Sequence, residues 1–268
     1  MSTTTEPTVE PPLPAGSPLA PGYVVETHVS RNKVLDVYEV WSAERDCRCI
    51  AKLLRPDCRT HARRRERLER EGRLLLELAH PHLVRAYEVV TAPELAVVLE
   101  TLGGERLDVA IAYGARRMAA VEVAELGVQL CSAVGYLHRH GWLHLDLKPT
   151  NVILDVGIVK LFDLSLARRP GPGKERYGTA GYLSPEQVAG GEFTEATDVF
   201  GLGSVLYEAA TRRCAGAGRD GAFRAAPVRA SRRLPGMLAS AIDAALSEVP
   251  EDRPSVRELA ASCAAVAA

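Results

Sequence analysis

Apolar and polar residues alternate in the first third of the chain with the period of two that β-strands show. The alternation begins at Tyr23 and reaches Leu54 with two short interruptions, and two further apolar runs follow after a longer gap. The five apolar runs span residues 23–25, 34–41, 49–54, 84–90 and 95–99. This pattern predicts five strands, the first three of them as an antiparallel meander.

Helical periodicity dominates elsewhere. Between residues 59 and 79, Leu68, Leu74, Leu75 and Leu78 form an apolar stripe at helical spacing. Further helices are predicted at residues 107–114, 119–140 and 255–268, an apolar helix is predicted to open near residue 197, and a short strand is predicted at residues 152–154. Residues 212–234 are rich in Gly, Ala and Arg, and we predict a loop-rich region with a shortened helix there. The fold class is therefore α+β, with a mainly helical second half.

Composition changes this picture at the N-terminus. Residues 1–22 are rich in Thr, Pro, Ser and Glu and poor in large apolar side chains. Such a segment has little to bury, so we predict a disordered tail.

Charge and cysteine content exclude some classes of protein. The chain has 33 basic and 34 acidic residues, so its bulk charge does not favour nucleic-acid binding. No apolar run resembles a signal peptide or spans a bilayer, and six scattered cysteines favour a cytoplasmic chain with reduced thiols. Cys47, Cys49, Cys58 and His61 lack the spacing of a standard zinc module, and small buried side chains are the simpler interpretation.

The densest group of reactive side chains lies in residues 144–151, which connect a predicted helix to a predicted strand. Asp146, Lys148 and Asn151 occur there at a spacing that lets all three face one point. A polar loop turned by Pro149 would have a similar sequence, so this segment alone leaves both interpretations open.

A single lysine, Lys52, ends the third predicted strand among apolar neighbours. Burying an ammonium group is costly unless a carboxylate pairs with it. Glu66, Glu69 and Glu71 on the following predicted helix are the candidates. The alternative is an edge lysine that extends to solvent, with the three glutamates paired to neighbouring arginines.

Several motifs follow one another in a recognisable order. Residues 144–151 have the form H-x-D-x-K-x-x-N, and Asp163 follows at the distance of a D-F-G motif. Residues 178–186 end like the A-P-E motif at Glu186, Asp198 opens an apolar helix, and Arg253 lies near the end. Together with Lys52 these motifs resemble Hanks-type (eukaryotic-like) bacterial serine/threonine protein kinases, over residues 23 to about 266.

The resemblance implies a bilobal fold. Its N-lobe, residues 23–102, has a five-stranded antiparallel sheet and one helix, and its C-lobe, residues 103–268, is mainly helical. It implies ATP and Mg²⁺ as cofactors and a protein as the substrate. It leaves open a regulatory partner or a homodimer, and it implies neither nucleic acid binding nor a membrane span.

The resemblance also implies residue roles. The catalytic residues are Asp146, Lys148, Lys52 and its partner Glu71, and the metal ligands are Asn151 and Asp163. The nucleotide contacts are Lys52, Val37, Ile50, Leu99, Glu100, Leu102, Ile153, Ser30 and Asn32. Among these, Leu99 is the gatekeeper, and the backbone of Glu100 and Leu102 binds the adenine edge.

The sequence departs from the family pattern at the phosphate-binding loop. Aligned on Val37, the three glycine positions of G-x-G-x-x-G-x-V hold Ser30, Asn32 and Leu35. Glycine lets backbone N–H groups approach phosphates closely, and a Cβ atom obstructs that approach. We expect Asn32 to turn the hairpin through a left-handed backbone. Ile50, where the family usually has Ala, is expected to narrow the adenine pocket.

Two further departures concern the segment after Asp163. Leu145 replaces the arginine that binds a phosphorylated activation loop in the family, and residues 166–178 contain no Ser or Thr. We infer that activation does not depend on Ser/Thr phosphorylation of this segment. Ser165 replaces the glycine of D-F-G, and we expect a stiffer hinge there.

Three functions fit this sequence. All the charged residues of an active serine/threonine kinase are present, and Lys148 and Thr179 are typical of that class. The missing glycines and Ile50 favour a pseudokinase that acts as a binding or scaffold module. A kinase-fold phosphotransferase for small molecules is the third, which the protein-kinase features at Thr179, Glu186 and Arg253 disfavour.

Overall fold

The computed structural model describes residues 10–216 and 225–268, which form two compact units. The first contains the residues up to Ala79 together with Val84–Thr101, and the second contains His80–Leu83 and Leu102–Ala268. The predicted boundary after residue 102 therefore lies one residue late, and residues 80–83 belong to the second unit. They do so because the Leu161 N–H donates to the His82 carbonyl at 2.9 Å.

An antiparallel sheet forms most of the first unit. Its strands are β1 (Pro18–Ala20), β2 (Tyr23–Arg31), β3 (Leu35–Ser42), β4 (Cys47–Leu54), β5 (Ala86–Val90) and β6 (Ala96–Glu100). They are arranged in the order β1-β2-β3-β4-β6-β5. The register places Val37 opposite Lys52 and Ile50 opposite Leu99.

The N-terminal segment corrects the predicted tail. Residues 1–9 lie outside the described residues, but β1 pairs with β2, so the sheet has six strands rather than five. Leu19 and Ala20 are buried in one apolar cluster with Tyr38 and Val40, and the Leu13 N–H donates to the Tyr38 hydroxyl at 3.0 Å. A few apolar side chains in a polar segment are thus enough to order it, because they shield an apolar face of the sheet from water.

Helix α1 (Ala62–Glu77) packs on this sheet and is shorter than the predicted 59–79, because Pro56 starts a separate 3₁₀ turn at Pro56–Cys58. Leu68, Leu75 and Glu71 lie on its buried face. A Cβ atom at Gly72 would lie 2.6 Å from Val89, so glycine is what permits the close contact between helix and sheet.

The second unit is mainly helical, as predicted. Its helices are α2 (Leu107–Tyr113), α3 (Ala120–Arg139), α4 (Pro185–Ala189), α5 (Glu195–Thr211), α6 (Val228–Ser231), α7 (Gly236–Ala245) and α8 (Val256–Ala267). Its short strands are β7 (Glu105–Arg106), β8 (Val152–Asp155), β9 (Ile158–Leu161), β10 (Gly171–Pro172) and β11 (Glu192–Phe193). Helix α5 is buried along almost its whole length and forms the centre of this unit.

Two details of the second unit bear on earlier expectations. The described part of residues 212–234 contains the short helix α6, as predicted, while residues 217–224 lie outside the described residues. Within the part of the chain that the structure describes, α3 alone has the length and apolar composition to cross a bilayer. Half of its most apolar stretch is buried inside the protein, and the core helix of a globular domain can have the same length and composition.

Candidate catalytic site

Asp146 lies at the centre of a closed group of three side chains in the second unit. Its Oδ2 accepts a hydrogen bond from Lys148 Nζ, and its Oδ1 accepts one from the Thr179 hydroxyl, each at 2.6 Å. Lys148 Nζ also donates to Thr179 Oγ1 at 2.6 Å. Because Asp146 is 7% exposed and held on both oxygens, its carboxylate has one fixed orientation.

Asn151 is fixed against the same carboxylate. Its Nδ2 donates to the Asp146 carbonyl at 2.9 Å and to Asp146 Oδ2 at 3.3 Å, so Oδ1 remains as its acceptor atom. The Phe162 N–H donates to the Asn151 carbonyl at 3.0 Å, which brings the following residue, Asp163, close to Asn151. Asp163 has a left-handed backbone with φ of 69°.

The oxygens of Asn151 and Asp163 suit a hard cation. Magnesium is usually held by one or two protein oxygens and completed by phosphates and water. Residues 10–216 and 225–268 contain no group of three His, Cys, Asp or Glu side chains placed to hold a metal ion. The donor set here therefore fits a metal ion that arrives with a phosphate ligand better than a permanent structural ion.

Asp198, in the first turn of α5, binds the backbone at the start of residues 144–151. Its carboxylate accepts the backbone N–H groups of His144 and Leu145 and a ring nitrogen of His138, all at 2.8 Å. Burial alone would raise the pKa of Asp198, but the hydrogen bonds from His138 and the backbone lower it. An ionised Asp198 thus holds Leu145 in a left-handed backbone with φ of 63°.

Glu186 and Arg253 form the long-range ion pair that the motifs predicted. Arg253 Nη1 and Nη2 donate to the two carboxylate oxygens of Glu186 at 2.7 and 2.9 Å. Burial would raise the pKa of Glu186, but the guanidinium of Arg253 lowers it. Arg253 also donates to the Ala196 carbonyl at 2.9 Å and lies over the Phe200 ring, so the pair joins the ends of several elements.

The segment after Asp163 is anchored by a side chain that sequence analysis did not single out. Gln187 in α4 donates through Nε2 to the carbonyls of Leu145 at 2.9 Å and Tyr177 at 2.7 Å. The Tyr177 hydroxyl donates to the Leu166 carbonyl at 3.1 Å. Through these bonds, Tyr177 in the segment after Asp163 is connected to Leu145 in residues 144–151.

Leu145 adds an apolar contact to the hydrogen bonds that Gln187 makes with this segment. Leu143, Leu145 and Phe193 form a buried cluster against which Tyr177 packs. Strand β10, within the segment after Asp163, pairs with β11, which contains Phe193. The position where the family has arginine is thus filled by a side chain that packs rather than one that binds phosphate.

The first unit contains the predicted lysine and its partner. Lys52 Nζ donates to Glu71 Oε1 at 2.8 Å, and both side chains are buried. Glu71 shares the inward face of α1 with Leu68 and Leu75, which explains why it pairs with Lys52. Glu66 is exposed instead.

Comparison with known proteins agrees with this geometry. The family described as a protein kinase domain matches residues 23–263. The chain belongs to the protein kinase family. The predicted Hanks-type resemblance and the kinase fold are confirmed.

Relatives of this kinase domain include bacterial and fungal proteins. Serine/threonine-protein kinase PkaA of Streptomyces coelicolor is 34% identical over 220 residues, which are 75% of this chain and 40% of that protein. Sucrose non-fermenting protein kinase 1 of Fusarium virguliforme is 37% identical over 147 residues, 53% of this chain and 21% of that protein. The chain thus spans less than half the length of either relative.

A solved structure has the same fold. The crystal structure of the Mycobacterium tuberculosis PknI kinase domain superposes with a TM-score of 0.77 and 23% sequence identity, over 95% of this chain and all of that one. At this level of identity the likeness establishes the fold alone.

The predicted nucleotide contacts of the kinase domain divide between the two units. Ser30, Val37, Ile50, Lys52 and Leu99 are cross-strand or next-but-one neighbours, so their side chains share one face of the first unit's sheet. Glu100 ends β6, whereas Leu102 and Ile153 belong to the second unit. The roles of these residues remain predictions.

The hairpin between β2 and β3 corrects the expectation for Asn32. Asn32 is not among the residues with positive φ. It turns the chain through its side chain, because Oδ1 accepts the N–H groups of Val34 at 2.8 Å and Leu35 at 2.7 Å. The amide side chain of asparagine competes with backbone acceptors in this way, so no left-handed residue is needed.

Two anchoring residues were missed by sequence reasoning. Gln187 could have been found, since Ser184 three residues earlier makes a helix-capping box with it. His138 lies at the end of an amphipathic helix, and a lone histidine there carries no local signal of its bond to Asp198.

Proposed function

We propose that this chain is a serine/threonine protein kinase that transfers the γ-phosphoryl group of ATP to a hydroxyl group of a protein. The observation that carries the proposal is the closed group of Asp146, Lys148 and Thr179. It joins a fixed carboxylate, a cation and a hydroxyl within hydrogen-bond distance of each other. The names of the relatives, among them serine/threonine-protein kinase PkaA, support the same activity.

Each residue of the site has a defined task in this proposal. Asp146 accepts the proton of the substrate hydroxyl as its oxygen attacks the γ-phosphorus and ADP leaves. Lys148 neutralises charge on the transferred group, and Thr179 holds both side chains in place. Lys52, oriented by Glu71, binds phosphate oxygens of the nucleotide.

The cofactor assignment rests on the donor set. Asn151 and Asp163 would hold Mg²⁺, which neutralises the charge of the phosphates when bound. Ile50 and Leu99 share a sheet face with Lys52, where an adenine ring could pack. The proposed cofactors are therefore ATP and Mg²⁺.

A pseudokinase is the second candidate function. The absence of glycine at residues 30, 32 and 35 favours it, together with the occupied amides of Val34 and Leu35. In that case the chain would bind a partner protein and hold nucleotide weakly. The complete set of charged side chains supports the active enzyme instead.

The surroundings of the protein are part of the proposal. All six cysteines are free, and the cytoplasm keeps thiols reduced, so we place the protein there. The partner is a protein substrate, with a regulatory partner or a second copy of the chain as further candidates. The balanced charge does not favour nucleic acid.

Nucleotide binding tests the proposal directly. We expect purified protein to bind ATP, as measured by calorimetry, and to bind it at least about tenfold more tightly with Mg²⁺, because Asp163 and Asn151 would hold the metal ion and its charge would offset that of the phosphates. Asp163→Asn should lose most of this magnesium effect, whereas Asp46→Asn, an exposed matched change, should retain it. Absence of ATP binding with and without Mg²⁺ would favour the pseudokinase.

The Leu145 cluster predicts activation without phosphate. Phosphatase-treated protein should have the same transfer rate as untreated protein, because packing rather than an arginine–phosphate contact holds the segment. Leu145→Ala should destabilise the protein by about 2–5 kcal/mol. It should also speed tryptic cleavage after the exposed Lys174 and Arg176.

Leu145→Met is the matched control for this cluster, since it nearly conserves volume. It should leave the rate of tryptic cleavage close to that of the unaltered protein. Loss of transfer activity after phosphatase treatment would contradict the proposal, and comparing mass spectra of the protein before and after the treatment would locate the phosphate responsible.

A further inference from the structure

The turn between β2 and β3 is closed by the side chain of its first residue. Asn32 Oδ1 accepts two successive backbone N–H groups, those of Val34 and Leu35, at 2.8 and 2.7 Å. The Asn32 N–H donates in turn to the Leu35 carbonyl at 2.9 Å. Three donors of the hairpin tip are therefore satisfied within the tip itself.

The carbonyl groups of the same turn are also engaged. Arg55 Nη1 donates to the Asn32 carbonyl at 3.1 Å, and the Arg55 N–H donates to the Val34 carbonyl at 2.9 Å. Cys58 Sγ lies 3.7 Å from the Lys33 carbonyl. All three carbonyls from residue 32 to residue 34 thus bind the short segment that precedes α1.

Residues 55–58, which bind the hairpin tip, are themselves held in place by hydrogen bonds. Asp57 accepts two hydrogen bonds from the Arg55 guanidinium, at 2.9 and 3.1 Å, which fixes the direction of Nη1. Arg64 of α1 donates to Cys58 Sγ at 2.6 Å. The hairpin tip is consequently tied to α1, and it differs from a glycine loop in both flexibility and free donors.

We propose that Asn32 is a positioning residue that keeps this hairpin closed, so that the N–H groups of Val34 and Leu35 are withheld from the phosphates of a bound nucleotide. The inference rests on the proposed function, because it concerns how the same site takes ATP. Backbone N–H groups bind phosphate when they are unpaired and can converge on it. Here the amides of Val34 and Leu35 already donate to Asn32.

This arrangement determines what the site recognises. The nucleoside part of the ligand and the Lys52 ammonium supply the affinity of the first unit, and the triphosphate adds less than it would beside free amides. The ratio of adenosine affinity to ATP affinity is therefore set in part by residue 32. A residue without an acceptor at this position should shift the preference toward ATP.

Amide hydrogen exchange without nucleotide tests the closed turn by itself. The Val34 and Leu35 amides should be protected in the unaltered protein and should exchange at least about tenfold faster in Asn32→Ala, because an unbonded exposed amide exchanges freely. Asn32→Asp keeps the acceptor oxygen and should retain the protection. Equal exchange in all three proteins would overturn the role of Asn32.

Calorimetry with two ligands tests the consequence for phosphate binding. Asn32→Gly should bind ATP, with Mg²⁺ present, about tenfold more tightly than the unaltered protein, since freed amides gain charge-assisted bonds. Its affinity for adenosine should stay within about twofold. Val34→Gly adds the same flexibility but keeps the Asn32 acceptor, so it should leave the ratio of the two affinities unchanged.

The outcomes of these experiments distinguish the inference about Asn32 from the proposed function on which it rests. If adenosine binds and Asn32→Gly gains nothing for ATP, or gains equally for both ligands, this inference is overturned and the proposed function stands. If neither ligand binds to any variant, the proposed function fails and the phosphate-binding part of the inference fails with it.

Discussion

Asp146→Asn is expected to lower the rate of phosphoryl transfer by roughly 10²–10⁴-fold, the usual contribution of a positioned general base. Asparagine has the shape of aspartate but cannot accept the proton of the substrate hydroxyl. It also removes the negative charge that Lys148 contacts at 2.6 Å. Nucleotide binding should remain close to that of the unaltered protein, because Asp146 is not among the proposed phosphate or metal ligands.

The measurement pairs transfer of labelled phosphate to a protein substrate with calorimetry of ATP binding. Asp46→Asn is the control, since Asp46 is exposed and its left-handed φ of 50° is readily adopted by asparagine. Transfer by Asp146→Asn at more than about a tenth of the normal rate would remove Asp146 from the role of base.

Arg253→Ala is expected to cost about 3–5 kcal/mol of unfolding free energy, because it leaves the largely buried Glu186 carboxylate without its guanidinium partner. In a chain of this size such a loss lowers the thermal midpoint by roughly 10 °C. Arg257→Ala, four residues further on at an exposed position, should change stability by less than about 0.5 kcal/mol. Unfolding in urea and on heating, followed by circular dichroism, measures both variants.

The pH dependence distinguishes the ion pair from simple packing. The folded protein has a Glu186 pKa below the ordinary value of 4.5, so the pair stabilises above that pH and its contribution is lost as the pH falls through the lowered pKa. Without Arg253, the strongest of the interactions that lower the pKa of Glu186 is removed, while the effect of burial, which raises it, remains. The stability gap between the variant and the unaltered protein should therefore narrow between pH 7 and pH 4, and a constant gap would point to lost packing.

Short-range motifs predicted that three polar side chains would lie close together, and the structure brings them together. Asp146, Lys148 and Asn151 lie within six consecutive residues, so the local chain largely determines their proximity. The choice of Glu71 over two other glutamates was also correct, because residues 68, 71 and 75 share one helical face. Where a side chain's partner lies on the same element or at a fixed motif distance, the sequence contains enough information to predict their contact.

Contacts between distant parts of the chain were less accessible to sequence reasoning. Gln187 reaches Leu145 across 42 positions, and His138 reaches Asp198 across 60. Such bonds depend on how helices pack, which periodicity does not specify. The closed hairpin was not predicted, because the glycine pattern concerns the backbone at residue 32, whereas the turn is closed by the Asn32 side chain.

Strand β1 is part of the folded sheet but lies outside the region that matches the protein kinase family. The family match begins at residue 23, but the side chains of Leu19 and Ala20 complete the apolar cluster that contains Tyr38 and Val40. A protein shortened to the matched region would present that face of the sheet to water, and such a face promotes self-association. The boundary of evolutionary similarity is therefore a poor guide for trimming this chain, and any expressed fragment should retain the residues from Glu10 onward.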